Sequence, residues 1–206
     1  MGDFTVIGIV SELLKNLLQE DFTAIFSGSS FSVGSVRLAS PKEMEGTENA
    51  ALSLFLYQIT ENGHMRNQPM ERIDSAMFRF PPLFLNCYYL LTPYGSKESE
   101  EFAGFDEHTI LGRAMQVLHD NGSLEGPVLS ALLTASGYGD YSDRLKQVRI
   151  ILNSISLDDL TKIWGSLDTT MRLSVAYEVR VLMIASERTR STRRIIEKEA
   201  NYYQIG

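Results

Sequence analysis

Only one cysteine, Cys87, occurs among the 206 residues, so an internal disulfide is excluded. A lack of disulfides is typical of proteins that fold in a reducing compartment. Cys87 lies in the apolar stretch LFLNCYYLL, which predicts a small buried side chain. A chain of this length buries roughly 70% of the surface of its unfolded form, so its core needs no disulfide or metal ion. The length fits one domain, or one domain with an arm.

Long apolar runs and targeting signals are also missing. Glu12, Lys15 and Asn16 interrupt the apolar residues near the N-terminus, which argues against a membrane-spanning helix there. Asp3 stands where a secretion signal carries basic residues, and Val6 stands where a myristoylation signal requires serine or threonine. We therefore expect no membrane insertion.

Residues that carry catalysis or hold cofactors form no recognisable pattern. His108 and His119 fall on one predicted helix, roughly 16 Å apart, which is too far for a shared metal ion. The stretches GSSFSVGS and YGSKES lack the spacing of a phosphate-binding loop, and Gly-x-Ser-x-Gly does not occur. Asp158 and Asp159 are explained by the start of a helix. We predict no catalytic residue, no cofactor, no metal site and no enzymatic activity.

The formal net charge of -7 argues against general nucleic-acid binding, which normally relies on a basic domain. The charges are distributed unevenly along the chain. The stretch ERTRSTRR at 187–194 is basic, whereas PKEMEGTE and SKESEEFAGFDE are acidic. Such asymmetry favours docking between protein surfaces. We therefore expect protein partners and no nucleic acid.

Apolar residues at three- and four-residue intervals predict helices. In the second helix Asp106 is the expected N-cap and Gly122 the expected C-cap. In the fourth, Ser156 is the expected N-cap and Asp159 falls at the capping-box position. The predicted helices span residues 4–21, 106–122, 125–135 and 156–167.

Period-two alternation and β-branched or aromatic residues predict five strands. Two of them, within 49–63 and at 83–91, are apolar on both faces and are therefore expected inside a sheet. The polar stretch between them exceeds the usual length of a connection, so it is either disordered or an interaction loop. The remaining strands are predicted near 31–38, at 147–155 and at 173–184. This order predicts the α+β class, with a mixed, mostly antiparallel sheet and helices packed on it.

The last predicted strand, LSVAYEVRVLMI, has one nearly continuous apolar face. That face is expected to close the core against the helix that contains Trp164. It consists of Leu173, Val175, Tyr177, Val179, Val181 and Met183. The less apolar face consists of Ser174, Ala176, Glu178 and Arg180.

Four segments taken in order resemble the tail-terminator or cap proteins of contractile injection systems. They are LSLFLYQITENGHMRN, PPLFLNCYYLLTPYG, EHTILGRAMQVLHDNG and ISLDDLTKIWGSLDTTMRLSVAYEVRVLMI, and the resemblance covers roughly residues 5–186. The motif positions that we single out are Trp164, Arg172 and Tyr177. Met171 departs from the pattern, because an aromatic residue is expected just before the arginine. The long C-terminal extension that some members carry does not occur in this sequence.

The resemblance implies a structural role. Such proteins form a hexameric ring at the end of the particle away from the baseplate, where they stop the inner tube and bind the last layer of sheath. The implied partners are therefore copies of this chain, tube protein and sheath protein. The implied location is a particle assembled in the cytoplasm that can be released from the cell.

We divide the chain into a terminator-like domain, 1–186, and a C-terminal arm, 187–206. The arm is predicted to pack on a neighbouring subunit or on sheath, for example by adding a strand to a sheet edge. The alternative is a frayed C-terminal helix on its own subunit. The arm residues expected at an interface are Arg188, Arg190, Arg193, Arg194, Tyr202 and Tyr203.

The long polar loop is the second predicted interface. Arg66, Asn67, Arg72 and Arg79 are expected to contact the tube end or a neighbouring subunit, and the alternative is a mobile loop in solvent. A different class of function also stays open at this point, namely a small α/β ligand-binding domain or an enzyme of unknown chemistry.

Overall fold

The computed structural model describes residues 4–26, 34–47, 50–95, 103–143 and 145–191. The helices are α1 (Val6–Phe26), α2 (Ala103–Asp120), α3 (Gly126–Ala135) and α4 (Leu157–Leu167), and a short 3-10 turn covers Gly139–Tyr141. The strands are β1 (Ser35–Arg37), β2 (Ala50–Glu61), β3 (Glu71–Arg72), β4 (Met77–Arg79), β5 (Leu83–Pro93), β6 (Ser123–Glu125), β7 (Gln147–Asn153), β8 (Val175–Ile184) and β9 (Thr189–Ser191).

The main sheet has six strands in the order β1-β2-β5-β8-β7-β6. β1 runs parallel to β2, and all other neighbours are antiparallel. β5 and β8 therefore form the centre of the sheet, and β2 and β5, the two strands that are apolar on both faces, are both internal strands. The predicted α+β class with a mixed, mostly antiparallel sheet is confirmed.

A second sheet of three strands, β3-β4-β9, takes two of its strands from the stretch predicted to be disordered or an interaction loop. The sequence did not predict these strands because each is only two or three residues long. Such strands are too short for a period-two signal. Their stability depends on pairing between segments that are far apart in sequence, such as Arg79 with Thr189.

Helices α1, α2 and α3 cover one face of the main sheet and form the core with it. The buried stripe of α1 continues past the predicted end at residue 21. Phe22 is fully buried, and the centre of its ring lies 5.8 Å from the centre of the Phe26 ring. The largest buried side chains on this face come from helices and strands alike: Phe22, Leu13, Leu18, Tyr89, Leu52, Leu91, Ile110, Leu124, Leu129 and Leu133.

Two predicted helix caps differ in the structure. α2 begins at Ala103, so Asp106 lies in the first turn rather than at the N-cap. Gly122 follows the helix without adopting a left-handed conformation. A Cβ at Gly122 would lie 3.3 Å from the carbonyl oxygen of His119 and 3.6 Å from that of Ile150, so close packing explains the glycine.

The alternation predicted for the last strand holds only in its first part. Tyr177 and Val179 face the core, but beyond them Leu182 is fully buried and Met183 is 40% exposed. Between the pairs Cys87–Val179 and Leu85–Leu182, β8 has two residues opposite one residue of β5. This β-bulge moves every later side chain to the other face.

α4 lies on the opposite face of the sheet from the other three helices. Trp164 is 2% exposed, and its indole Nε1 donates to Ser174 Oγ at 3.1 Å. Ser174 shares its face with Ala176, which is buried beside Leu90 on the side away from Tyr177. Trp164 therefore does not close the core against Tyr177 and Val179, contrary to the prediction, because it packs on the other side of the sheet.

Candidate functional site

The small sheet projects from one end of the main sheet. β5 and β8 pair as far as Leu83 and Ile184, and the same antiparallel ladder resumes where Phe80 N donates to Arg188 O at 3.0 Å. Pro81 and Pro82 interrupt it because proline has no N–H to donate. β4 and β9 therefore continue the two central strands outward, and β3 pairs along β4. We call the unit β3-β4-β9 the projecting sheet.

The turn that leads into the projecting sheet is fixed by Asn62. Its side chain is buried, and its Nδ2 donates to Asn86 Oδ1 on β5 at 3.0 Å. Its Oδ1 accepts from the backbone N–H groups of His64 and Met65 at 3.1 and 3.3 Å. Asn62 therefore sets the direction in which the chain leaves β2.

The arginines predicted at the loop interface lie in three different settings. Arg66 is exposed and its Nε lies 3.3 Å from Glu61, and Asn67 beside it is also exposed. Arg72 donates from Nε to the Asp74 carbonyl oxygen at 3.0 Å. Arg79 lies 3.5 Å from Glu71.

The first residues of the predicted arm pair with the predicted loop interface of the same chain. Thr189, Arg190 and Ser191 lie opposite Arg79, Phe78 and Met77. The structure thus brings together two segments that the sequence predicted separately as interfaces. Arg193, Arg194, Tyr202 and Tyr203 lie outside the described residues.

One face of the projecting sheet combines arginine and phenylalanine. Cross-strand partners share a face, so the pairs Arg72–Phe78 and Phe78–Arg190 form a row across all three strands. Next to this row the guanidinium of Arg188 lies over the ring of Phe80 at 4.3 Å, a cation–π contact. We call this surface the Arg–Phe face; its residues are Arg72, Phe78, Phe80, Arg188 and Arg190.

The carboxylate of the projecting sheet points the other way. Glu71 is paired across the strands with Arg79, and both lie on the face opposite the Arg–Phe face. The Asp74 carboxylate accepts from Ala76 N at 2.7 Å within the hairpin. Within the described parts of the chain, no carboxylate forms an ion pair with Arg72, Arg188 or Arg190. The Arg–Phe face is therefore cationic.

The sequence contains a signal for this surface that the prediction did not use. Phe78 and Phe80 are two residues apart in FRF, and Arg188 and Arg190 are two residues apart in RTR. Each pair lies on one face if its segment is a strand. Only the pairing of the two segments shows that both pairs lie on the same face.

Arg172, a motif position, connects three parts of the chain. Its guanidinium forms an ion pair with Glu107 near the start of α2 and lies 4.8 Å from the centre of the Tyr94 ring. The Tyr94 hydroxyl donates to Pro41 O at 3.2 Å. Burial raises the pKa of Tyr94 to about 12, an effect that the charge of Arg172 partly offsets. Arg172 therefore ties α2 to the end of β5, just before β8 begins.

A buried carboxylate, Glu178, organises the middle of the sheet on the side of α4. It is 6% exposed and accepts from Asn86 Nδ2 at 2.9 Å and from Tyr88 OH at 3.2 Å. Arg180 forms an ion pair with it at 2.7 Å. Asn86 and Tyr88 belong to β5, so the register that places them here cannot be read from either strand alone. The Glu178 carboxylate is therefore bonded within the domain by Asn86, Tyr88 and Arg180.

The described residues offer no site for a metal ion. They contain no cluster of three or more histidine, cysteine, aspartate or glutamate side chains placed to hold one. Cys87 is fully buried, and burial raises the pKa of its thiol to about 11. In this same part of the chain, no helix combines the length and apolar character needed to cross a bilayer.

A mixed sheet with helices on both faces and a projecting second sheet defines an α+β domain. Two structures solved by cryo-EM share the fold. One is a sheath/tube terminator of an extracellular contractile injection system, PVC, in the extended state, with a TM-score of 0.60 and 19% identity. The other is the tube-terminating cap of the anti-feeding prophage, with a TM-score of 0.58 and 19% identity.

The chain belongs to the family described as the Pvc16 N-terminal domain, whose sequence profile matches residues 9–198. The resemblance to tail terminators inferred from the four sequence segments is thereby confirmed. The two structural matches cover 97% and 98% of this chain but only 64% and 62% of the matched chains. This chain therefore spans just under two thirds of the length of those terminators. No protein of curated function matches the sequence significantly.

Proposed function

We propose that this chain is a terminator of a contractile injection system, which ends the inner tube and binds the last layer of sheath as a hexameric ring. The observation that carries the proposal is the family match over residues 9–198, together with a fold shared with two terminators. The proposed role is structural and involves no catalysis.

The ring requires contacts between different surfaces of identical subunits. Such head-to-tail interfaces close into rings when the rotation between subunits fits. The described surface supports this arrangement because its charges are segregated, with a cationic Arg–Phe face on the projecting sheet.

The proposed contact with the tube end uses the exposed part of the projecting sheet and the turn before it. Arg66 and Asn67 are exposed in that turn, and Arg79 lies on the face opposite the Arg–Phe face. Arginine is suited to this role because its planar group binds carboxylates and stacks on flat surfaces.

The arm is proposed to start at residue 187, with two parts that differ in role. Residues up to Ser191 pair with β4, so they hold the start of the arm against its own domain. Contact with a neighbouring subunit or with sheath is proposed for residues 192–206.

The terminator role is tested by removing the chain from a cell that produces the particle. Without a terminator, tube and sheath polymerisation has no fixed end, so electron micrographs should show particles of long and variable length. Expression of the intact chain should restore the original length distribution. Particles of unchanged length in the absence of the chain would refute the proposed function.

The arm is tested by ending the chain after Ser191, which retains β9. We expect this truncated protein to keep its fold and to lose particle-length control, because only the proposed contact is removed. Circular dichroism checks the fold, and micrographs measure length. If length control is unchanged, residues 192–206 have no role in capping.

A further inference from the structure

We propose that the Arg–Phe face binds the acidic corner of a second copy of this chain. The acidic corner consists of Glu43, Glu45 and Asp168, where the turn at 40–47 meets the end of α4. The inference rests on the proposed function, since it names the subunit contact from which the ring is built.

The acidic corner holds three carboxylates in fixed positions. Asp168 ends α4 in the left-handed conformation, with φ of 51°, and its side chain is 92% exposed. Glu45 accepts a hydrogen bond from the Thr169 hydroxyl, and Glu43 accepts from Ser40 N at 2.7 Å. Among the described residues, one cation contacts these carboxylates: Lys42, whose Nζ lies 3.1 Å from Asp168 Oδ2. The corner is therefore anionic.

The two surfaces complement each other in charge. Arg72, Arg188 and Arg190 are exposed and form no ion pair with any described carboxylate, whereas the corner has an excess of carboxylates. Phe78 and Phe80 are half-buried and add apolar area between the arginines. Aromatic and arginine side chains are the types most enriched where protein interfaces bind strongly.

The two surfaces cannot meet within one molecule. The projecting sheet begins beyond the Leu83 end of β5, and the acidic corner lies at its Pro93 end, where Tyr94 OH bonds to Pro41 O. A strand of this length spans roughly 36 Å at about 3.3 Å per residue. Two complementary surfaces at opposite ends of a subunit produce a head-to-tail contact, which is the type that closes into rings.

The experiment is a charge swap in the full chain. Arg72→Glu with Arg190→Glu reverses the face, and Glu43→Lys with Asp168→Lys reverses the corner. Each double variant should associate with itself at least tenfold more weakly than wild type. Combining all four substitutions should restore association, because opposite charges then meet again and the net charge returns to its original value. Sedimentation velocity over a range of protein concentrations measures association.

The matched control exchanges Asp143 and Lys146, an exposed ion pair with 3.6 Å between Nζ and Oδ1 that belongs to neither surface. Asp143→Lys with Lys146→Asp leaves the Arg–Phe face and the acidic corner intact, so its association should equal that of wild type. Circular dichroism and thermal unfolding of every variant check that the domain is folded. Association of the wild type should also weaken at high salt, because exposed charges are screened over a Debye length of about 10 Å at 0.1 M.

Three results would overturn the inference. The first is that the wild type is monomeric at every concentration. The second is that either double variant associates as strongly as the wild type. The third is that the variant with all four substitutions associates no better than the double variants. The particle-length experiment separates this inference from the proposed function. If particles lacking the chain are too long but the reversed variants associate normally, the terminator role stands and this contact is wrong.

Discussion

Arg172 shows how one side chain can hold together distant parts of this domain. Its planar group faces the Tyr94 ring and the Glu107 carboxylate at once. Lysine has a single compact charge and could not satisfy both directions equally. The sequence singled out Arg172 only through its resemblance to a family. Its partners lie far away in sequence, so no local pattern could have named them.

Cys87 gives a prediction for the pH dependence of stability. Its pKa is raised by burial from 9.0 to about 11, so the unfolded chain loses this proton at a lower pH than the folded chain does. The stabilisation is complete below about pH 9 and is lost as the pH rises towards 11. In this window the wild type should lose up to about 1.4 kcal/mol per pH unit more than Cys87→Ala.

Urea unfolding of both proteins between pH 9 and 11 measures this difference. The tyrosines titrate in both proteins, so their effect cancels in the comparison. A thiol reagent should label the wild type only after urea is added, since Cys87 is fully buried. Parallel loss of stability in the two proteins would show that the thiol is not shielded as the structure indicates.

At the scale of elements, local sequence signals succeeded where the element is long or capped. α4 begins after Ser156, as predicted, because the Ser156 hydroxyl accepts from Asp159 N at 3.1 Å. β8 was also predicted, but its bulge was not. The bulge depends on how β8 pairs with β5, and a single strand carries no information about its partner's register.

The N-cap of α4 provides a test at this scale. Ser156→Ala removes the acceptor for the Asp159 N–H and should lower the free energy of unfolding by about 1 kcal/mol. Ser166 is the matched control on the same helix. Its hydroxyl donates to the Ile163 carbonyl at 2.7 Å and is exposed, so Ser166→Ala should change stability by less than about 0.5 kcal/mol.

Denaturant unfolding followed by tryptophan fluorescence suits both variants, because Trp164 is the one tryptophan and lies within α4. Equal effects of the two substitutions would mean that the cap does not stabilise the helix.

At the scale of the whole molecule, the small sheet is a continuation of the large one, because β4 and β9 extend the central strands β5 and β8 outward. The sequence predicted five of the six strands of the main sheet, the four helices and the fold class, mainly because burial of long amphipathic elements leaves a clear pattern. β6 and the small strands β3, β4 and β9 were not predicted. The candidate surface was predicted only as two separate arginine-rich segments, since its two halves meet through tertiary pairing.

The difference in burial between the sheets predicts different dynamics. β5 and β8 lie in the core, whereas β9 and both residues of β3 are exposed. Backbone amides in β4 and β9 should exchange with deuterium at least roughly a hundredfold faster than those in β5 and β8.

Hydrogen exchange with mass spectrometry on the full chain measures these rates, and the unfolded chain in denaturant provides the intrinsic rate for each peptide. Equal protection of the two sheets would mean that the projecting sheet unfolds only together with the domain. That outcome would require a stabilising contact on the Arg–Phe face.

The continuity of β8 into β9 has a mechanical consequence. A pull on the chain beyond Ser191 acts along β9 and then along β8, in line with both strands. β8 pairs with β5 from Val175 to Ile184 and with β7 from Ala176 to Arg180. Extracting it would require breaking many main-chain hydrogen bonds at the same time, not one after another. A load applied to the chain at this point is therefore carried in shear by the centre of the domain.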